Sequence, residues 1–320
     1  MKQLTLGSTG FEKYSKTTRR AQFLAEMERV VPWAELCALI EPVYPKAGPD
    51  GGRPTVPLER MLRIYFLQQW FNLSDPGVEE ALHDSLAMRA FAGIDLSEAR
   101  VPDETTVLNF RHLLEHHELG KPMLAAVNKH LRRNGIRITT GTIVDATIIN
   151  APSSTKNRDK QRDPEMHQTA KGRQWYFGMK AHLGVDSGEK LVHTVLASAA
   201  NVADRDALPY LLHGKETRVW GDAAYQGQTG VIHEHAPKAK DFTNRRYQYG
   251  GHVNEIEKAR NRTKSRVRAK VEHVIGVIKR VFGFCKVRFR GLAKNLHRLQ
   301  VTCALANLFI VRRRLLRAPG

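Results

Sequence analysis

The sequence predicts an α/β protein in two parts, a helical N-terminal region followed by a mixed-sheet region, and three observations carry that expectation. Apolar residues recur at helical spacing up to about Asn134, Ile, Thr and Val crowd into strand-like runs after Gly135, and residues 258–320 return to helix with a large excess of positive charge. The chain has 320 residues, 42% of them hydrophobic, which is enough for substantial cores. Its aromatic and branched residues are spread throughout, which excludes a disordered chain. The expected division is an N-terminal arm over 1–52, a helical region over 53–135, and a mixed-sheet region over 136–320 that ends in basic helices.

Within the arm, a short helix is expected around Ala21–Arg29, and the stretch Pro45-Lys46-Ala47-Gly48-Pro49-Asp50-Gly51-Gly52 is a break. Leu58, Met61, Leu62, Tyr65, Phe66, Gln69 and Trp70 then recur at helical spacing. Ser74-Asp75-Pro76 opens a second helix, with proline early and Glu79-Glu80 following. A third runs from Thr105 to His116, where Asp103 can cap the free amides, and a fourth from about Pro122 to Asn134. Short helices with tight joints, carrying Arg111 and His112, suit a helix-turn-helix-like DNA-binding unit, although a plain helical bundle has the same pattern.

After Gly135 the period changes. Ile136–Ile149 reads as strand, 153–174 as a polar basic loop, and Trp175–Val185 and Lys190–Ala197 as two strands joined by a turn at Asp186-Ser187-Gly188. A helix is expected over Asp204–His213 and a short strand over Arg218–Trp220. A long basic helix over Arg262–Phe282 and a last helix over Leu296–Leu316 complete the chain. That order suits a mixed sheet with flanking helices, as in the ribonuclease H fold.

Lys and Arg number 51 against 32 Asp and Glu, a formal charge of +19 with a pI near 10.1. Such an excess favours a polyanion partner, chiefly nucleic acid. Residues 258–320 hold 18 of the cations and a lone acid, Glu272. Cys37, Cys285 and Cys303 are too scattered for a disulfide framework or a zinc site, which fits a reducing cytoplasm. The N-terminus lacks an apolar signal core, and the apolar run Val301–Val311 falls short of the roughly 20 residues of a membrane span, so it reads as a buried helix and no membrane partner is expected.

Cleaving and joining phosphodiesters requires charge neutralisation on the attacking and leaving oxygens, which two or three converging carboxylates holding Mg²⁺ can supply. Asp145 follows the apolar run Gly141-Thr142-Ile143-Val144, where a carboxylate is costly unless it is paired or binds metal. Asp222 stands where a short apolar strand opens into Ala223-Ala224-Tyr225, and strand-end carboxylates open onto clefts. Glu272 lies on the basic helix. At about 100° per residue, Ser265, Arg268, Gly276 and Lys279 fall on its face, while Val267, Val271, Val274, Ile278 and Phe282 lie well around from it. Arg268 and Lys279 would bracket the carboxylate and hold DNA phosphates. The plainer alternative is an i,i+4 ion pair of Arg268 with Glu272 on a solvated face, which leaves the lack of other acids unexplained. Lys180, Tyr225 and Arg111 are further candidate DNA contacts. His233-Glu234-His235 reads as surface, His182 and His193 as packing or hydrogen-bonding residues, Asp204 and Asp206 as a helix start, and Trp175 and Trp220 as core.

The segment Arg268-x3-Glu272-x6-Lys279 resembles the R-x3-E-x6-K signature of bacterial insertion-sequence DDE transposases. Gly141-Thr142-Ile143-Val144-Asp145-Ala146-Thr147 and Asp222-Ala223-Ala224-Tyr225 are similar to the blocks around that family's first and second aspartates. Asn72-Leu73-Ser74-Asp75, Pro102-Asp103-x-Thr105-Thr106 with Phe110-Arg111, and Phe177-Gly178-Met179-Lys180 bring the resemblance closest to the insertion-sequence-five family, related to the insertion-sequence-four group. One departure is Ser265, where the broader signature has tyrosine; the short interval from Asp222 to Glu272 argues against a large inserted domain. The resemblance implies a ribonuclease H-like core with Asp145, Asp222 and Glu272 as catalytic metal ligands for Mg²⁺, with Mn²⁺ as a substitute. It also implies a homo-oligomer that binds double-stranded DNA, at the inverted repeats of its element and at the target, in the cytoplasm and at the nucleoid. The rival expectation is a non-enzymatic sequence-specific DNA-binding protein with a nuclease-like core; a nuclease that cleaves without joining is another.

Overall fold

The computed structural model describes residues 16–46, 55–158, 160–250 and 252–317. Helix α1 (Arg19–Val30) is capped by Thr18, whose Oγ1 accepts from the Ala21 amide at 3.1 Å. A second helix, α2 (Trp33–Ile40), occupies a stretch where an irregular arm is expected; Leu36 and Ile40 give it an apolar side that is fully buried. Residues 1–15 of that arm and 47–52 of the Gly/Pro-rich break lie outside the described residues.

Five helices follow: α3 (Leu58–Phe71), α4 (Asp75–Asp84), α5 (Leu86–Ala92), α6 (Glu104–His116) and α7 (Gly120–Arg133). Their starts are chemically marked. Ser74 Oγ accepts from Gly77 N at 3.1 Å, and Asp103 Oδ1 accepts from Thr106 N at 2.7 Å, so each supplies an acceptor for an amide that the helix itself leaves free. Helix α3 ends on Asn72 in the left-handed region (φ 52°), which an Asn tolerates. The Asn72 side chain donates to Gly283 O at 3.1 Å and accepts from Arg298 Nη2 at 2.7 Å, tying the helical region to the C-terminal segment.

The sheet comprises β1 (Gly141–Asn150), β2 (His167–Lys171), β3 (Gln174–Asp186), β4 (Val192–Ala199), β5 (Arg218–Trp220) and β6 (Lys240–Asp241), in the order β2-β3-β1-β5-β6, with β4 beside β2 on the outer edge of β3. Strand β1 runs antiparallel to β3, with Thr142 opposite Asp186 and Asn150 opposite Gly178, and parallel to β5. The sheet is therefore mixed. A side chain at Gly178 would put its Cβ 2.1 Å from Ile149 O, so only glycine lets β1 and β3 close there. The polar loop expected over 153–174 contains β2. Its residues are exposed on both faces and carry no apolar alternation, so the ladder to β3 alone makes it a strand.

Two other expectations are corrected. The helix over Asp204–His213 is a 3-10 turn (Asp204–Ala207) followed by a single turn, α8 (Leu208–Leu211). After the short α9 (Thr229–His235) and the hairpin β7 (Gln248–Tyr249) and β8 (His252–Val253), the basic helix α10 (Glu255–Gly276) starts seven residues earlier than expected. Asn254 caps it, accepting from Glu257 N at 3.0 Å, and it runs on into a π-helical turn, Val277–Val281.

Helix α11 (Leu292–Leu315) packs against α1, α3, α7 and β4. Asn307 Oδ1 accepts from Val192 N, and its Nδ2 donates to Val192 O and to Asn128 Oδ1, all at 2.8 Å. The helical region and the sheet thus share one core, in which Met27, Phe66, Trp70 and Val127 belong with Ile143, Leu183, Leu299 and Leu305. A position expected to divide two regions, 135/136, lies along this shared core. A smaller core of Val144, Leu208, Leu211, Val219, Tyr225 and Ile232 takes from β1 the single residue Val144, whose side chain faces away from that of Ile143. Each such side chain, fully buried, contributes about 1.5–3 kcal/mol. Among the described residues no helix is long and apolar enough to cross a membrane.

Candidate active site

Strand β5 ends at Trp220 while β1 continues to Asn150, so beyond Ile143 the β1 edge loses its neighbour. Asp145 stands two residues past the last β1–β5 pair. Asp222 stands two residues past β5, and its Oδ1 accepts from Ala224 N at 2.9 Å, capping the 3-10 turn Ala223–Tyr225. Helix α10 packs along β1 and brings in Glu272. All three carboxylates line one cleft of about 910 Å³, together with Asp204, Lys171, Lys180, Arg268, Lys279 and Arg280.

Arg268 holds the centre of the charge arrangement. Its Nη1 lies 3.1 Å from Asp145 Oδ2 and its Nη2 3.9 Å from Glu272 Oε1. The i,i+4 pair is therefore present, but the tighter partner of Arg268 is across the cleft on β1. Glu272 is 66% exposed, against 14% for Asp145. Burial pushes the Asp145 carboxyl up to about 6; Arg268 and the Ala146 amide, which donates to Oδ1 at 2.8 Å, hold it down, and Asp222 and Asp204 add like-charge repulsion.

As they stand, the acids are not drawn into a metal cage: among the described residues no three His, Cys, Asp or Glu are gathered to hold one ion. The donor set nonetheless fits a hard cation, being all carboxylate oxygen, contributed by three separate elements and under-compensated by positive charge at Asp145. Glu272, exposed on its helix, is the group with room to turn toward the other two.

Lys279 Nζ donates to Ile148 O at 2.9 Å and to Thr147 Oγ1 at 3.3 Å, which anchors its ammonium in the cleft; burial pulls its pKa down. Lys180, on β3, also lines the cleft. Two other candidate DNA contacts are placed elsewhere. Arg111 is buried, pairs with Asp75 at 3.0 Å and Glu115 at 2.9 Å, and stacks its guanidinium 4.1 Å from the Phe289 ring centre, so it joins α4, α6 and the C-terminal segment rather than facing DNA. Tyr225 is fully buried behind Asp222. Its ring fills the space at Gly221, where a Cβ would come within 2.9 Å of it, and burial, then Asp204, Asp145 and Asp222, raise its phenol far above the ordinary value.

Trp220 is core and stacks on Phe242 at 5.5 Å, whereas Trp175 is 71% exposed, because its stretch of β3 is covered only by the exposed β2. His182 and His193 hydrogen-bond Ser198 and Thr142, and His233, Glu234 and His235 are exposed. Ser265, in the place of the signature tyrosine, accepts from Asn244 Nδ2 at 3.1 Å. The cleft residues Asp204, Lys171 and Arg280 escape sequence reasoning; Asp204 reads locally as a helix start, and only the fold turns it toward Asp145.

The family described as Transposase DDE domain matches residues 137–308, more than half of the chain, and Transposase domain (DUF772) matches residues 12–113. The chain belongs to the DDE transposase family, whose members are metal-dependent enzymes of DNA cleavage and transfer. Among solved structures it is similar to a cryo-EM structure of the piggyBac transposase synaptic complex with hairpin DNA, at 10% identity and a TM-score of 0.45, over 93% of this chain and 77% of that one.

Proposed function

We propose that this DNA transposase serves an insertion sequence of the insertion-sequence-five kind, and that Asp145, Asp222 and Glu272 are its metal ligands. The observation that carries this reading is the meeting of three acids from β1, the end of β5 and α10 in one cleft rimmed by cations. The ion is Mg²⁺, with Mn²⁺ as a substitute; bound there, it would neutralise charge on the attacking and leaving oxygens. A ribonuclease H-like reading of the core is supported by the place of β1 between antiparallel β3 and parallel β5, with one acid on β1 and another just past β5.

The chain's own residues perform the remaining tasks. Arg268 holds Asp145 and Glu272 in place before DNA arrives. Lys279 and Lys180 meet the phosphates, and the cations of α10 grip the duplex without regard to sequence. The substrate is double-stranded DNA at the element's inverted repeats and then at the target, bound by a homo-oligomer that brings two ends together, in the cytoplasm and on the nucleoid. Water attacks at the element end, and the freed 3′-hydroxyl attacks the target.

Asp145→Asn, Asp222→Asn and Glu272→Gln keep shape and remove charge, so strand transfer of pre-cut ends in Mg²⁺ falls by about a thousandfold or more, while end-DNA binding, assayed alongside, holds. Near wild-type transfer by Glu272→Gln would return Glu272 to a simple ion pair with Arg268.

A further inference from the structure

Lys180 lies opposite Ile148 in the β1–β3 ladder, and Ile148 O is the group that anchors Lys279. The two ammonium groups therefore reach the cleft from β3 and from the π-helical turn that follows α10, at the same level of β1. Lys180 Nζ donates to Val202 O at 2.7 Å and lies 2.9 Å from Asp204 Oδ1. The side chains are only 15% and 22% exposed, so solvent screens this pair far less than a surface salt bridge.

Two features separate the pair from an ordinary structural bridge. Asp204 Oδ1 is buried and receives no directed hydrogen bond, so charge rather than hydrogen-bond geometry holds the ammonium on that side. An ammonium carries three donors, and the directed bond to Val202 O uses one of them. The others are not directed at Asp204 and remain for an anion in the cleft. A lysine stem held at its tip from two directions has lost its rotamer freedom before any ligand arrives, which is the condition for precise grip on a phosphate.

We propose that Asp204 is a positioning residue of the catalytic centre, acting through Lys180. The carboxylate and the Val202 carbonyl fix the ammonium where it meets the phosphate being cut or joined, across from Lys279. The role assigned to Asp204 is that of partner to Lys180 and not that of a fourth metal ligand, and a Mg²⁺ titration separates the two. The inference rests on the reading of the cleft as the site of strand transfer.

The test uses the full-length protein, pre-cut element ends and a Mg²⁺ titration. Asp204→Asn lowers the rate constant for transfer at saturating DNA by about tenfold to a hundredfold, as a misplaced group does. The half-saturating Mg²⁺ concentration stays at the wild-type value, and transfer is compared per folded molecule because losing a largely buried partner lowers the thermal midpoint. Lys180→Ala reproduces that loss, the double variant is no worse than the poorer single one, and Asp204→Glu recovers part of the rate. Three results overturn the proposal. Wild-type transfer by Asp204→Asn removes any role. A raised Mg²⁺ requirement makes Asp204 a ligand. Restored transfer in the charge-swapped protein, Lys180→Asp with Asp204→Lys, leaves only a structural bridge. Should Asp204→Asn not fold, Lys180→Ala and Asp204→Glu give the same comparison. Retained transfer by Asp145→Asn would sink the reading of the cleft instead, independently of Asp204.

Discussion

Helices α10 and α11 are nearly equal in length, 22 and 24 residues, and both are basic, yet they do opposite things. In α10 only Glu257, Asn261, Val271 and Val274 are buried; in α11 thirteen residues from Asn295 to Val311 are. The distribution of charge decides between them. From Lys258 to Lys270 every second residue of α10 is a cation, and at 100° per residue such a run distributes charge all round the helix, so that no side of it can be buried cheaply. Its apolar docking is confined to its last turns, at Val271 and Val274, while near its start Asn261 is held by the Arg245 backbone. Helix α11 gathers Arg312, Arg313 and Arg314 at its end, where the helix dipole favours cations, and leaves an apolar middle free to sink into the core. One helix is thereby available to the cleft, and the other is committed to holding the molecule together.

Three experiments put that contrast at risk. The largest effect belongs to α11. Asn307→Leu leaves the Val192 amide and Asn128 Oδ1 without their buried partner, while the Val192 carbonyl keeps Asn128 Nδ2 at 3.0 Å, and the two orphaned groups cost about 3 kcal/mol or more. Denaturant unfolding is the measurement, and a stability equal to wild type would break the account of α11. Per folded molecule, strand transfer stays unchanged, the reverse of what Glu272→Gln does on α10.

A smaller effect comes from acid. Burial depresses His182 to about 4, His193 to about 3 and His297, on α11, to about 4, all from an ordinary 6.5. Between those values the unfolded chain binds protons that the folded chain refuses, so the stability from these groups is complete above about pH 6.5 and lost as pH falls toward 4. Each contributes a slope of up to about 1.4 kcal/mol per pH unit. Urea midpoints at pH 7.5 and 5.0 measure it, and His297→Gln flattens the difference. A midpoint that holds steady over that range would show these histidines charged inside the protein.

The smallest effect is on α10. Arg262→Ala lowers the slope of log affinity against log salt by about 0.9 if Arg262 meets one phosphate, and alters stability by less than about 0.5 kcal/mol. An unchanged slope would place Arg262 away from DNA.

The same contrast explains what could be read from the sequence. The face of α10 and its π-helical extension carrying Arg268, Glu272 and Lys279 is legible because a lone acid in a basic run is conspicuous and helix geometry is local. The helical region, the run of β1 and the position of Asp222 after β5 are legible for the same reason: period and punctuation are properties of short segments. Partnership over long separations is not. Arg111 looks like any helix-surface arginine until Asp75 and Phe289 close around it, and Tyr225 looks like a cleft residue until Gly221 lets it pack beneath. Asp204 caps nothing as a side chain; its partner Lys180 comes from β3, far away in the sequence. Strand β2 has no pattern of its own to read.

Helix α11 is made on the ribosome after every other described element, yet it fills the space between α1, α3, α7 and β4. A nascent chain that has not yet reached α11 therefore has its main core unfilled and exposes the apolar sides of helices and sheet until α11 emerges. A message cut short before α11 yields no smaller DNA-binding fragment with a finished interior. Its product, with that interior open, is exposed to chaperones and proteases.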